Sequence, residues 1–220
     1  MAKDYSEDQL IQKSTAEFLE KELGWKSVYA FDKEMLGVNG TLERTSYHEV
    51  LLTGRFRKAL KTLNPWLTDK QLQECVERMT EHISSQTLMQ INEQKYQYIK
   101  DGVPVTRVKP NGETEEVRAK VIDFASPEKN EFLCVREMWV HGSLYHRRAD
   151  IVGYVNGIPL LFMELKNHDV EIIDAYNQNY RDYLDTIPQL FYYNAFIMFS
   201  NGLEARVGTI ESKWEFFHEW

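Results

Sequence analysis

The sequence has few cysteines, and it lacks the long apolar runs and nucleotide-binding loops that identify several large classes of protein. Its two cysteines, Cys75 and Cys134, lie far apart in a chain of 220 residues and form no cluster of metal-ligand spacing. Neither an iron–sulfur site nor a structural zinc site is therefore expected. Two separate cysteines suit a reducing compartment, and we expect a cytoplasmic protein.

No apolar run approaches the ~20 residues that span a bilayer. The first residues also lack the apolar stretch of a secretory signal. We therefore expect no association with a membrane. No G-x-x-x-x-G-K-[ST] loop occurs in the chain, which argues against ATP binding by these residues.

Basic residues are outnumbered by acidic ones, and the formal net charge is −8. This balance argues against an extensive nucleic-acid surface, because phosphate contacts need lysine and arginine. Net charge does not describe local patches, however, and an acidic cation-binding site adds negative charge of its own. A domain held on DNA by other parts of a larger protein also needs little basic surface. The charge therefore does not exclude a protein that acts on DNA.

Hydrophobic periodicity predicts a helical first half and a strand-rich second half. Helices are predicted over 6–23, 46–63 and 68–83, whereas 85–102 is ambiguous. Beyond residue 104, short β-branched and aromatic segments predict strands over 117–124, 132–140, 149–155 and 158–166, a helix over 170–184, and strands over 190–200 and 204–210. We expect one α/β domain over 1–220, with a mainly helical lead-in of about 6–100 before a mixed central β-sheet core of about 104–210 flanked by helices.

Three charged residues stand at the ends of two predicted apolar strands. Glu164 and Lys166 follow four apolar residues, and this i, i+2 pair shares one face because side chains alternate along a strand. Asp150 lies on the preceding strand, across an Asn156-Gly157 turn that is typical of tight hairpins. The two acids and the lysine are therefore predicted to converge.

Convergence depends on the register of this hairpin. A strict two-residue turn pairs Asp150 with Met163 and puts Asp150 on the opposite face from Glu164. A bulge or a three-residue loop pairs Asp150 with Glu164 directly. Because the turn region contains a proline, which cannot donate to a ladder, we predict an irregularity between Val155 and Leu160.

Two neighbouring carboxylates raise each other's pKa unless a cation lies between them. Oxygen ligands suit Mg²⁺, for which Mn²⁺ can substitute, and Mg²⁺ also takes oxygens from a substrate phosphate. The metal lowers the pKa of a bound water, and a lysine beside it can orient or help to deprotonate that water. The three residues together predict hydrolysis of a phosphodiester.

The spacing Asp-x13-Glu-x-Lys resembles that of the PD-(D/E)xK nuclease superfamily. The longer string RADIV, VNGIPL and ELKN, followed by IPQLFYYNAF and SNG, resembles the N-terminal nuclease domain of the restriction (motor, R) subunit of type I restriction–modification enzymes. This resemblance is strong over about 147–202 and weaker over the leading helices.

The resemblance implies a restriction-endonuclease-like core and assigns roles to individual residues. Asp150 and Glu164 would hold Mg²⁺ together with the backbone carbonyl of Leu165, and Lys166 would be catalytic. Glu7, on the first predicted helix, would be a further metal ligand, since it fits an acid that is common on the first helix of these nucleases. It also has an ordinary explanation, because acids near a helix N-terminus complement the helix dipole.

Four further residues are candidates for contacts with DNA. Arg147 and Arg148 precede the catalytic aspartate and are either phosphate ligands or solvated cations. Members of the family often carry Gln-x3-Tyr on the following helix, and Tyr180 matches that tyrosine. Tyr176 occupies the glutamine position, with Gln178 nearby, so the role of this helix stays open and a core-facing position of the tyrosines is the simpler interpretation.

The resemblance further implies a Mg²⁺-dependent endonuclease that cleaves double-stranded DNA in host defence. Its partners would be ATP-dependent translocase domains further along the same subunit and the methyltransferase and specificity subunits of the complex. ATP would act only through those translocase domains, and the chain would be a fragment of a larger motor subunit.

Two alternatives remain. One is a catalytically silent nuclease fold that serves as a docking or DNA-holding module, although an intact set of Asp, Glu and Lys argues against it. The other is a glycoside hydrolase, whose carboxyl pair lies ~5–9.5 Å apart and needs no metal. That reaction gives Lys166 no role. A Glu-x-Lys pair alone is most often a surface ion pair.

Overall fold

The computed structural model describes residues 11–220, so Glu7 and the start of the predicted first helix lie outside the described residues. The strands of the described part are β1 (Lys26–Tyr29), β2 (Val103–Val108), β3 (Thr114–Ala119), β4 (Phe132–His141), β5 (His146–Val155), β6 (Ile158–Leu165), β7 (Phe196–Ser200), β8 (Ala205–Gly208) and β9 (His218–Glu219). The helices are α1 (Lys13–Leu23), α2 (Thr53–Leu63), α3 (Asp69–Thr80), α4 (Leu88–Asp101), α5 (Ile172–Asp174) and α6 (Arg181–Thr186), with a π-helical segment, Ala175–Tyr180, joining the last two.

Seven strands form one sheet in the order β1-β4-β5-β6-β7-β8-β9, and β2 and β3 form a separate antiparallel pair. Within the large sheet β1 is parallel to β4 and β6 is parallel to β7, whereas the other neighbours are antiparallel. The sheet is therefore mixed and flanked by helices, and the predicted α/β fold class is confirmed.

Two helices of the first half begin at capping boxes. The Thr68 side chain accepts a hydrogen bond from the backbone of Gln71, whose side chain bonds back to Thr68, and this confirms the predicted start of α3. Thr87 and Gln90 make the same reciprocal pair at the start of α4. Because each pair satisfies two backbone groups that a helix end leaves open, it fixes where the helix begins. The second Thr-x-x-Gln thus resolves the ambiguous segment 85–102 as a helix.

The predicted helix over 46–63 is wrong in its first part, since only Thr53–Leu63 is helical. The amide of Leu52 donates to the carbonyl of Gly157, at 2.9 Å, in the turn between β5 and β6. The preceding segment is therefore held by tertiary hydrogen bonds instead of by helical ones. Helical periodicity in the sequence could not reveal that distant partner.

The predicted strand over 117–124 is also wrong as drawn. β3 ends at Ala119 and pairs with β2, outside the large sheet. Other differences concern boundaries: β7 begins at Phe196, since Pro188–Phe191 forms a 3-10 helix, and the helix predicted over 170–184 is divided by its π-helical segment. β1 was not predicted, because it has only four residues.

The large sheet has a core on each face. A smaller cluster packs Ala16 and Leu19 of α1 against Ile151, Met163 and Leu165. The larger core covers the other face, where Phe162 of β6 lies against the rings of Tyr180, Tyr183 and Phe191. The helical segment 172–186 is therefore held over β6 by aromatic packing. Within residues 11–220, no helix has the length and apolar character needed to cross a membrane.

Candidate active site

The β5–β6 hairpin contains the irregularity that its sequence predicts. Next to the turn Tyr154 pairs with Pro159, but Gly153 pairs with Leu161. Leu160 is therefore an extra residue on β6, and the pairing shifts by one beyond it. The predicted irregularity in this turn region is confirmed.

The shifted register places the two acids side by side. Ile151 pairs with Met163, so the next step along the hairpin puts Asp150 opposite Glu164. There the Oδ2 atom of Asp150 accepts a hydrogen bond of 2.8 Å from the backbone amide of Leu165. The Leu165 amide thus bonds to a side chain of β5 and not to its backbone. This bond fixes the Asp150 carboxylate next to the backbone of the Glu-x-Lys segment.

Glu164 is a strongly perturbed acid of the site. Its side chain is 2% exposed, and burial together with the neighbouring charge of Asp150 raises the pKa of Glu164 well above its usual range. The ammonium of Lys166, 3.7 Å from Oε1, offsets only part of this effect, and Oε2 has no hydrogen-bond partner. A buried oxygen of this kind beside a second carboxylate is stabilised by a cation.

These donors fit a hard divalent cation. Residues 11–220 contain no group of three or more His, Cys, Asp or Glu side chains arranged to hold a metal. Mg²⁺ does not need such a cage, because it keeps several waters and binds proteins through one or two carboxylates. Asp150 and Glu164 would supply those carboxylates, and the backbone of Leu165, already bonded to Asp150, lies beside them.

Lys166 is held between the acids and the helical segment 172–186. Its Nζ atom lies 3.7 Å from Glu164 and donates a hydrogen bond of 2.8 Å to Oδ1 of Asn179. Asn179 belongs to the π-helical segment. The helical segment therefore fixes the direction of the Lys166 ammonium.

The helix residues that reach the site are Asn179 and Tyr183, not Gln178 and Tyr180. Both Asn179 and Tyr183 line the pocket that contains the acids. Tyr180 is 1% exposed, and its hydroxyl accepts a hydrogen bond from the backbone amide of Glu211, outside the pocket lining, so the suggested contact between Tyr180 and DNA is not supported. Gln178 is exposed and lies outside the pocket lining.

Asn179 and Tyr183 were not predicted as site residues, although the sequence contains a signal for them. Asn179 and Tyr183 are spaced as Asn-x3-Tyr, which matches the Gln-x3-Tyr pattern with an amide side chain that is one carbon shorter. The pattern was predicted at Tyr176 and Tyr180, three residues too early.

Arg147 and Arg148 both line the same pocket. A terminal nitrogen of Arg147 donates to Oδ1 of Asp182 on α6 at 2.9 Å. The Nε atom of Arg148 forms an ion pair with Glu137 on β4. The structure therefore brings both predicted DNA contacts to the site, each beside a carboxylate.

Glu137 is an acid of the site that was not predicted from the sequence. It is fully buried in the middle of β4, and Nε2 of Gln12 donates to its Oε1 at 2.6 Å. Its register neighbours place it opposite Asp150 on β5. The signal was present in the sequence, because Glu137 is an acidic residue within a strand of mainly apolar residues.

The resulting pocket has a volume of about 500 Å³ and is open to solvent. Two carboxylates, from Asp150 and Glu164, share it with three cations, from Arg147, Arg148 and Lys166. With Glu137 and Asp182, the partners of the two arginines, the site places four carboxylates beside these three cations. Acid groups next to cations at an open pocket suit a phosphate-containing substrate and a divalent ion.

Comparison with known proteins identifies similar sequences over nearly the whole chain. The model of the family described as "Type I restriction enzyme R protein N terminus" matches residues 4–216. Over 202 residues the chain is 30% identical to the Type I restriction enzyme HindI endonuclease subunit of Haemophilus influenzae, covering 90% of this chain and 19% of that protein.

Two further relatives show the same extent of similarity. The chain is 33% identical over 183 residues to the Putative type I restriction enzyme MjaIXP endonuclease subunit of Methanocaldococcus jannaschii, covering 81% of this chain and 17% of that protein. It is 28% identical over 197 residues to the Type I restriction enzyme SauMSSORF170P endonuclease subunit of Staphylococcus aureus, covering 84% and 19%. The chain thus spans about a fifth of the length of these curated relatives.

Proposed function

Because the chain belongs to the family of type I restriction enzyme R protein N termini, we propose that it is a Mg²⁺-dependent nuclease domain that hydrolyses phosphodiester bonds of double-stranded DNA. The activity would serve restriction of foreign DNA. The reaction class follows from the site, and the choice of DNA as substrate follows from the names of the relatives.

One observation carries the proposal. The register shift at Leu160 brings Asp150, Glu164 and Lys166 together, and it leaves a buried oxygen of Glu164 without a hydrogen-bond partner. An uncompensated anionic oxygen is costly inside a protein. Its presence beside another carboxylate and a lysine is accounted for by metal-assisted phosphodiester hydrolysis, and a structural role would not require it.

Each residue has a defined task in this reaction. Asp150 and Glu164 would hold the metal, with the carbonyl of Leu165 as a further ligand, and the bound Mg²⁺ would supply an activated water and charge neutralisation at the phosphate. Lys166, directed by Asn179, would orient the attacking water and stabilise the negative charge that develops on the phosphate.

The partners of the domain are also proposed from its family. ATP-dependent translocase domains of the same subunit, together with methyltransferase and specificity subunits, would bring it to DNA and choose the target. We propose that the protein works in the cytoplasm. ATP would act only through the translocase domains.

Nicking of supercoiled plasmid tests the activity. We expect the wild-type chain, assayed alone and within the complete R protein assembled with its partner subunits, to nick DNA with Mg²⁺ but not with a chelator. Asp150→Ala should abolish nicking in both settings, and Asp69→Asn, whose side chain is 92% exposed on α3, should not. Equal nicking by wild type and Asp150→Ala would refute the assigned site.

Metal binding gives a readout that does not need cleavage. Mn²⁺ titration followed by calorimetry should give one binding event for wild type and none for Asp150→Ala. If wild type binds duplex DNA but neither binds Mn²⁺ nor nicks plasmid in the assembled complex, the domain is a DNA-holding module instead.

A further inference from the structure

Glu137 is a buried carboxylate at this site for which the proposed reaction gives no task. It is fully buried in β4 and has a φ of 56°, a left-handed backbone conformation that residues other than glycine adopt at an energetic cost. Val135 and Met138 both pack into the larger core. Because they are three residues apart, the two-residue alternation of side chains is interrupted between them and shifts by one residue at Glu137. The slip turns Glu137 out of that core and towards Gln12, the residue before α1, whose Nε2 donates to it at 2.6 Å.

Glu137 also pairs with Arg148, one of the cations of the pocket. The side chain of Glu137 is 1% exposed and that of Arg148 is 33% exposed, so the ion pair reaches from the protein interior to the pocket. The guanidinium carbon also lies 4.6 Å from the ring centre of Phe31 and 5.7 Å from that of Trp139. Arg148 is therefore fixed by a buried charge and by two aromatic rings.

The neighbouring Arg147 provides a contrast. Its partner Asp182 is 39% exposed and accepts hydrogen bonds from both Nε and a terminal nitrogen of Arg147, so part of the end of that guanidinium is already occupied. Both arginines line the pocket, but only Arg148 pairs with a fully buried acid. The ion pair engages Nε of Arg148, and a planar guanidinium held at Nε can offer its terminal nitrogens to a phosphate.

We propose that Glu137 is a positioning residue that holds Arg148 ready to bind a phosphate of the DNA strand at the pocket. This inference rests on the proposed function and adds a residue to it. An arginine that is already held in place loses less conformational entropy when the phosphate binds. Glu137 would therefore strengthen DNA binding although it carries the same charge as DNA.

The positioning role and the negative charge of Glu137 predict opposite effects on DNA binding, and this difference gives a decisive test. Binding of the 220-residue chain to a fluorescent duplex is measured by anisotropy with Ca²⁺ in place of Mg²⁺, at several salt concentrations. If Glu137 acted only through its charge, Glu137→Gln would tighten binding, since it removes a negative charge near DNA. We expect Glu137→Gln to weaken binding by roughly tenfold instead.

A double-mutant cycle separates positioning from a general loss of structure. Arg148→Ala should weaken binding and lower the slope of log K against log[salt] by about 0.9, as expected for one lost phosphate contact. Glu137→Gln should have no further effect when Arg148 is already alanine. A variant that is merely misfolded would weaken binding in both backgrounds.

Two more variants complete the design. Asp182→Asn, which removes the exposed partner of Arg147, is the matched control and should not weaken binding. If Glu137→Gln does not fold, Phe31→Ala takes its place, because Phe31 is 38% exposed and still contacts Arg148; its effect should also vanish in the Arg148→Ala background.

The outcomes distinguish the inference from the function it rests on. If wild type binds DNA and Glu137→Gln binds as tightly or more tightly, the positioning role is wrong and the nuclease proposal stands. If wild type shows neither DNA binding nor Mg²⁺-dependent nicking, the function itself fails.

Discussion

Replacing Glu164 by glutamine tests whether the buried charge of this residue is kept for a cation. Glu164 is 2% exposed, and its pKa is raised well above the usual range by burial and by Asp150. One of its oxygens has no hydrogen-bond partner. When no cation is bound, the ionised carboxylate should therefore destabilise the folded protein, and Glu164→Gln should make the metal-free protein more stable.

The size of the effect follows from two opposing contributions. Burying an ion costs several kcal/mol even after the protein relaxes, and Lys166 at 3.7 Å recovers part of that. The new amide of Glu164→Gln must find a hydrogen-bond partner in the same place, which costs about 1–3 kcal/mol if it fails. We expect the free energy of unfolding in the presence of a chelator to rise by about 1–2 kcal/mol.

Urea denaturation with a chelator and with Mg²⁺ measures both halves of this prediction. Wild type should gain about 2.7 kcal/mol when Mg²⁺ is present at about 100 times its dissociation constant, and Glu164→Gln should gain nothing. Glu171→Gln, at an exposed position, is the control and should change stability by less than about 0.5 kcal/mol under both conditions. The reasoning is refuted if Glu164→Gln is less stable than wild type in chelator and wild type does not respond to Mg²⁺.

Three other predictions concern the surroundings of the site and the helical first half. Arg44→Met should lower the free energy of unfolding by about 3–5 kcal/mol in urea denaturation, because it leaves Glu34, which is 2% exposed, as an unpaired buried charge; a loss below about 1 kcal/mol would contradict this. Burial lowers the pKa of Lys95 from 10.5 to about 8, so the unfolded chain binds more protons between these values and stability should rise by about 2 kcal/mol from about pH 7.5 to 9.5. Lys95→Met should lose that rise, and an unchanged profile would show that Lys95 is not its source. Asn179→Ala, which removes the acceptor of Lys166, should lower the single-turnover cleavage rate by roughly 10- to 100-fold with little change in DNA affinity, and Asn179→Gln should restore part of the rate; a loss of affinity alone would argue against this role.

The acids and the lysine were predictable because their arrangement depends on local rules. The two-residue period of a strand puts Glu164 and Lys166 on one face, and the tight Asn-Gly turn limits the register of Asp150 to two possibilities. Pro159, next to that turn, favoured the irregular register, and the structure has a bulge at Leu160. Each step used residues within one hairpin.

The remaining parts of the site depend on contacts between distant segments. Gln12 and Glu137 are 125 residues apart in the chain, and their contact requires α1 to lie across the sheet beside β4. Asn179 reaches Lys166 from a π-helical segment, and this contact depends on how that segment lies over β6. Neither contact can be derived from periodicity along one segment.

The two acids at the centre of the site share one structural cause. On β5, Ala149 and Val152 both pack into the larger core, so the alternation slips by one across Asp150, as it does across the facing Glu137 on β4. A regular strand would send every second side chain into that core, where an acid has no partner. The paired slips turn both acids out of it while the flanking apolar residues keep their packing. An acidic residue within an otherwise apolar strand is therefore a sequence signal for a break in alternation, and here the break places the carboxylates where the proposed reaction would use them.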